Sequence, residues 1–204
     1  MLIITRMLID PHEVLKQNIS DVYQLHKLVY AMFPKSSNGR DFLFSYDFYP
    51  KGGCKIEVLS KRRPITPSIG RLMSREVPKS FWEYKKYRFE IWANPVMRKA
   101  KDRSIVPLKK EETAISWLIR SMNRVGLKVK KDWVEIIGKR NFKFNKNGQD
   151  CTIWGVKFRG RLEKEDNVRL DNVVIKGIGR AKAFGFGLLK LVPVKEATER
   201  REKW

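Results

Sequence analysis

The chain has 204 residues, 44 of them Lys or Arg against 22 Asp or Glu, for a formal net charge of +22 with both histidines neutral. A field of that size recruits polyanions, while 42% hydrophobic and 11% aromatic residues supply apolar surface for a core and exclude a disordered basic tail. No run approaches the roughly 18 apolar residues of a spanning helix, and Cys54 and Cys151 are too far apart for a disulfide framework or a metal knuckle, so a protein of the reduced cytoplasm with no membrane, metal or small-molecule cofactor is expected.

Residues 1–6 open a strand over 2–8, with neither the long apolar region nor the cleavage site of a signal peptide behind them. His12 follows Pro11 in a predicted turn. Residues 21–33 repeat Val22, Leu25, Leu28, Val29, Met32 and Phe33 at helical spacing; Ser20 is placed to cap this helix, and Pro34 helps to end it. Strands at 42–48 and 55–59 follow. From Pro64 to Pro78 the chain is punctuated by Pro and Gly, with room for a short helix and a closing strand.

The order then restarts. A strand at 88–92 precedes a helix at 111–125 with Ile115, Leu118, Ile119, Met122 and Val125 on one side, strands near 133–137 and 152–158, a second helix within 166–178 and a last strand at 188–192. The expected fold class is α+β, two tandem ferredoxin-like (βαββαβ) domains at 1–84 and 85–194, followed by a polar tail over 195–204. No internal repeat supports the duplication, which rests on element order.

Three stretches carry chemistry. Tyr23, His26, Lys27 and Tyr30 form one polar stripe on the first helix, away from the Leu25 face. Residues 128–147 hold seven Lys or Arg against two acids, and Asn147-Gly148 predicts a hairpin tip; this is either a ribbon that contacts phosphates, through Arg140, Lys143 and Lys146, or a solvated charged hairpin. Gly177 to Leu189 places Gly177, Gly179, Gly185 and Gly187 around Arg180 and Lys182, suiting either backbone N–H groups turned toward an anion or a tight meeting of helix and strand. It fits neither the G-x-G-x-x-G pattern nor a phosphate loop ending in Gly-Lys-Ser/Thr, so a nucleotide cofactor is not expected.

Four stretches in order, residues 21–26, 40–44, 88–95 and 177–193, resemble the CasE family of CRISPR repeat endoribonucleases. The resemblance implies two ferredoxin-like domains, a CRISPR repeat stem-loop as RNA partner and a place among the other protein subunits of the Cascade complex. It also implies catalytic roles for His26 and Tyr23, and RNA contacts by Lys182. Lys27, Lys35, Arg40, Arg159 and Arg161 are further candidate RNA contacts. Two departures add positive charge: Arg180 stands where the family carries Pro, and Arg159 where it carries an acidic residue.

RNA brings its own nucleophile. When a ribose 2′-OH attacks the adjacent phosphate, the enzyme removes that proton, protonates the departing 5′-oxygen and stabilises the phosphoryl charge. Histidine titrates near neutrality and serves as base or acid. The expected activity is therefore metal-independent cleavage of precursor CRISPR RNA, leaving a 2′,3′-cyclic phosphate and a 5′-OH. The alternatives are a non-catalytic ribonucleoprotein subunit that only holds a stem, and a metal-dependent nuclease, for which Asp41, Asp47 and Glu57 form no persuasive ligand motif.

Overall fold

The computed structural model describes residues 1–34 and 39–195; Lys35 and residues 196–204 of the expected tail lie outside the described residues. The first half contains β1 (Ile3–Ile9), α1 (Pro11–Lys16), α2 (Val22–Ala31), β2 (Phe42–Phe48), β3 (Cys54–Ser60) and β4 (Arg71–Glu76). The strands form one antiparallel sheet in the order β2-β3-β1-β4. Period-two alternation in β1 buries Ile3, Thr5, Met7 and Ile9 on one face and leaves Arg6 exposed on the other. α2 packs Val22, Leu25 and Val29 into this core.

Three local expectations are corrected. Asp21, not Ser20, caps α2: its Oδ1 accepts from the backbone N–H of Tyr23 at 2.8 Å and of Gln24 at 3.0 Å, which places Ser20 one residue too early. His12 lies in α1 rather than a turn, because Asp10 and Glu13 form a reciprocal capping box around Pro11 at the start of the helix. No helix forms within residues 61–70, where Pro64 and Pro67 each remove a backbone donor; the closing strand is present as β4.

The second half contains β5 (Lys86–Ala93), a small hairpin β6 (Val96–Arg98) and β7 (Ile105–Pro107), α3 (Glu111–Asn123), β8 (Leu127–Lys128), β9 (Val134–Lys146), β10 (Gln149–Lys164), α4 (Leu170–Lys176) and β11 (Lys190–Pro193). Its sheet runs β11-β5-β10-β8, with β9 also on β10. The second strand of the ferredoxin-like order is thus split into β8 and β9. The β6–β7 hairpin carried no recognised sequence signal.

Asn147 and Gly148 adopt φ 52° and 83°, the double left-handed turn that joins β9 to β10. Ala93, at the end of β5, aligns with Val156 and so with Lys139; from there seven residues run to the tip, an arm of about 23 Å at strand rise. Alternation puts Arg140, Phe142, Phe144 and Lys146 on one face of the arm, and Lys139, Asn141 and Lys143 on the other. The first face turns back onto the N-terminal half. Phe142, Phe144 and Phe186 join that half's core, while Leu43 and Leu59 join the core of the second half. Burying each such side chain contributes about 1.5–3 kcal/mol, so the exchange fixes the two halves against each other.

Candidate active site

His26 projects from the middle of α2 toward the second half, where its Nδ1 stands 2.8 Å from the backbone carbonyl of Ala183. A carbonyl only accepts, so Nδ1 carries the proton and Nε2 of the neutral ring keeps its lone pair. Burial lowers the pKa of His26 below the ordinary 6.5; the Ala183 bond opposes this and the charge of Lys146 adds to it. The ring is therefore neutral at pH 7. It lies 5.8 Å from Tyr23, stacked at 10°, with Tyr30 at 4.1 Å and Phe184 at 5.4 Å between ring centroids. The Tyr23 hydroxyl donates to Asn147 Oδ1 at 3.3 Å, and the ring stacks at 6.2 Å on Phe144. Lys27 Nζ sits 5.3 Å over the Tyr23 ring. One imidazole and one phenol, both capable of proton transfer, thus share a surface with Lys27 and Lys146.

The Gly-rich segment supplies the carbonyl. Its ends are tied by the Ile178 N–H to Gly187 O bond at 3.0 Å, and Gly187 N–H donates to Trp92 O at 2.8 Å. Between them, Lys182–Phe184 makes a single 3-10 turn after Ala181 at φ 58°. The glycines serve close packing: a Cβ on Gly177 would stand 2.5 Å from Leu43 Cδ1, and one on Gly185 2.7 Å from the Tyr46 ring. Lys182 is half-buried, and burial together with the charge of Arg40 lowers its pKa. The loop therefore docks on β2 and presents both a carbonyl and a cation beside α2.

A sequence profile described as "CRISPR associated protein" matches residues 2–193. The Cascade subunit CasE of Escherichia coli K12 is 31% identical over 188 residues, covering 85% of this chain and 93% of that protein. The chain belongs to the CasE family of CRISPR-associated proteins. The CRISPR-associated endoribonuclease Cse3 of Thermus thermophilus is 26% identical over 210 residues, covering 93% of this chain and 99% of that protein. A structure of endoribonuclease Cse3 bound to a 19-nucleotide RNA superposes with a TM-score of 0.81 at 21% identity, over 94% of this chain and 100% of that one; the fold is that of two tandem ferredoxin-like domains.

In this CasE-family chain, His26, Tyr23, Lys27 and Lys146 come together, with Arg40 and Lys182 on the adjoining edge. Arg140 lies on the same face of the arm as Lys146, its guanidinium 5.2 Å over the Phe142 ring; Lys143 points to the opposite face. Arg180 is exposed in the Gly-rich loop. Arg159 and Arg161 are elsewhere, on the open face of the second sheet, where Arg159 pairs with Glu90 at 2.9 Å and Glu135 at 3.5 Å. The three weighed acids are also engaged: Asp41 with Arg62 at 2.8 Å, and Asp47 and Glu57 with Lys190 at 3.1 and 2.7 Å. The sequence reading missed Ala183, Phe184, Phe144 and Asn147, which meet α2 only after folding; the hairpin signal at Asn147-Gly148 located the tip without saying what it touches.

Proposed function

We propose that this chain is a metal-independent endoribonuclease that binds the CRISPR repeat stem-loop and cleaves precursor CRISPR RNA, leaving a 2′,3′-cyclic phosphate and a 5′-OH, and then stays bound as a subunit of cytoplasmic Cascade. The observation that carries this reading is the orientation of His26. A ring whose Nδ1–H is fixed on a carbonyl, and whose pKa burial has lowered, offers Nε2 as a base for the 2′-OH at neutral pH. Tyr23 lies beside it to orient the ribose or pass a proton. Lys27, Lys146, Arg40 and Lys182 stabilise the phosphoryl charge, and Arg140 and Lys143 engage stem phosphates from the two faces of the arm. No protein nucleophile and no metal ligand is needed when RNA attacks itself. The division between domains is taken at residues 84 and 85, ahead of β5.

The test uses a repeat RNA whose 2′-OH immediately upstream of the cut is replaced by hydrogen. Cleavage should stop while binding changes little, and the unmodified RNA should be cut in excess chelator to give cyclic-phosphate ends. Efficient cutting of the deoxy RNA refutes internal attack, and loss of cutting in chelator refutes metal independence. Tight binding without cleavage of any repeat RNA favours the non-catalytic reading.

A further inference from the structure

The two halves are joined not only by aromatic packing but by charge. Asp47, at the end of β2, receives Lys190 at 3.1 Å and Lys157 at 3.4 Å from the second half, and Glu57 of β3 receives Lys190 at 2.7 Å. Lys55, at 3.9 and 3.6 Å from the two carboxylates, completes the group from the first half. The side chains of Lys190, Lys157 and Glu57 are each about a quarter exposed or less. Burial acts against the charges of Asp47, Glu57 and Lys190, yet the partners prevail: Asp47 and Glu57 are held below the usual carboxylate range and Lys190 above the usual ammonium range. These three are therefore ionised near neutrality, in a setting screened far less than a surface pair.

Its position gives it a consequence for the site. Lys190 follows the Gly-rich loop directly, three residues after Gly187, and Asp47 follows Tyr46, whose ring lies on Gly185. The clamp thus grips the same two segments, the end of β2 and the start of β11, that determine where the loop meets the first half. Ala183 rides on that loop and His26 on the helix packed against the first sheet. We propose that Asp47, Glu57 and Lys190 are positioning residues for cleavage: by fixing β11 against β2 they place the Ala183 carbonyl on Nδ1 of His26 and so select the ring tautomer that leaves Nε2 as the base. The proposal rests on the reading of His26 as the proton-transfer group. None of the three is a catalytic residue, since none touches the imidazole.

The decisive measurement is the ¹⁵N NMR spectrum of the two imidazoles in the whole protein above pH 7, with the exposed His12 as internal reference, combined with single-turnover cleavage and with affinity for the 2′-deoxy repeat. Wild-type His26 should be the Nδ1–H tautomer. Lys190→Met should mix the tautomers, slow cleavage by about 10- to 100-fold and leave affinity within about threefold; Lys190→Arg, which keeps the charge, should restore the tautomer and most of the rate. Asp47→Asn, which keeps shape and removes one charge, should move tautomer and rate the same way to a smaller extent, and it decides the matter if Lys190→Met does not fold. A folded variant with wild-type tautomer and rate overturns the clamp, as does unfolding of both variants, which makes the group a general stability element. A shifted tautomer with undiminished cleavage refutes the role given to His26 instead.

Discussion

Gly185→Ala should disable the loop that holds His26, and the size of the effect follows from geometry. The added Cβ would stand 2.7 Å from Cδ1 and Cε1 of Tyr46 and 3.2 Å from Cε2 of Phe44. Neither ring has room to yield: Tyr46 and Phe44 are 7% and 1% exposed, and Phe48 and Phe142 pack edge-on around Tyr46. Gly185 also sits at φ 84°, where Ala costs about 1–2 kcal/mol, and overpacking adds about 1–3 kcal/mol. The sum, about 2–5 kcal/mol, corresponds to a fall in Tm of about 4–20 °C at 2–4 °C per kcal/mol for a chain of this length. Gly148→Ala separates the two causes: its φ is 83° but nothing lies within 4 Å of the new Cβ, so only the backbone cost remains and Tm should fall by about 2–8 °C. Scanning calorimetry of both variants, with urea titration to confirm an unchanged m-value, reads the difference. Equal losses would show that the Tyr46 contact does not hold the loop, and the packing account of the glycines would be wrong.

His26→Ala keeps helix propensity and removes the proposed base, so single-turnover cleavage should fall about 10²–10⁴-fold while stem-loop affinity holds; His12→Ala, on α1, should cleave normally. In the wild type the rate should climb with pH through a midpoint below the ordinary 6.5, because a base works only when deprotonated and burial lowers the pKa of His26; His26→Ala should lose that limb, and its survival assigns the titration to another group. Stem-loop binding should weaken steeply with salt, and changing Arg140, Lys143 and Lys146 to Ala together should flatten log K against log salt by up to about 0.9 for each phosphate no longer neutralised. An unchanged slope removes the arm from the RNA interface.

The sequence carried the periodic information well. The helix over 21–33 and the strand over 42–48 stand out because one face of each is apolar and the other is not, and the order of elements implied two sheets. What it could not carry was side-chain meeting at long range. Nothing about Phe144 or Phe142 distinguishes an aromatic inside its own half from one inserted into the other half's core, since alternation reports only that a face is covered. Ala183 is invisible for a different reason: its contribution is a carbonyl, which every residue has. The glycines at 177, 185 and 187 were legible as close-approach positions, but the approaching atoms proved to be Leu43, Tyr46 and the loop's own backbone. The first helix is also written in the sequence, since Asp10 through Glu13 spells a capping box around Pro11.

The use of a backbone carbonyl to orient His26 suits the substrate's charge. A carboxylate in that place would bond Nδ1–H more strongly and raise the basicity of the ring, but it would also set a full negative charge beside a phosphodiester that gains charge in the transition state, in a half-buried setting where opposition is weakly screened. A carbonyl fixes the tautomer with a dipole alone. The Ala183 bond raises the pKa of the ring but does not offset burial and Lys146, which lower it, and a net lowering suits the proposed base, which must be unprotonated at neutral pH. Asp47, Glu57 and Glu90 are each paired with lysine or arginine. On the proposed reading the cations next to His26 meet the phosphate, while Asp47 and Glu57 tie the first half to Lys190 of the second.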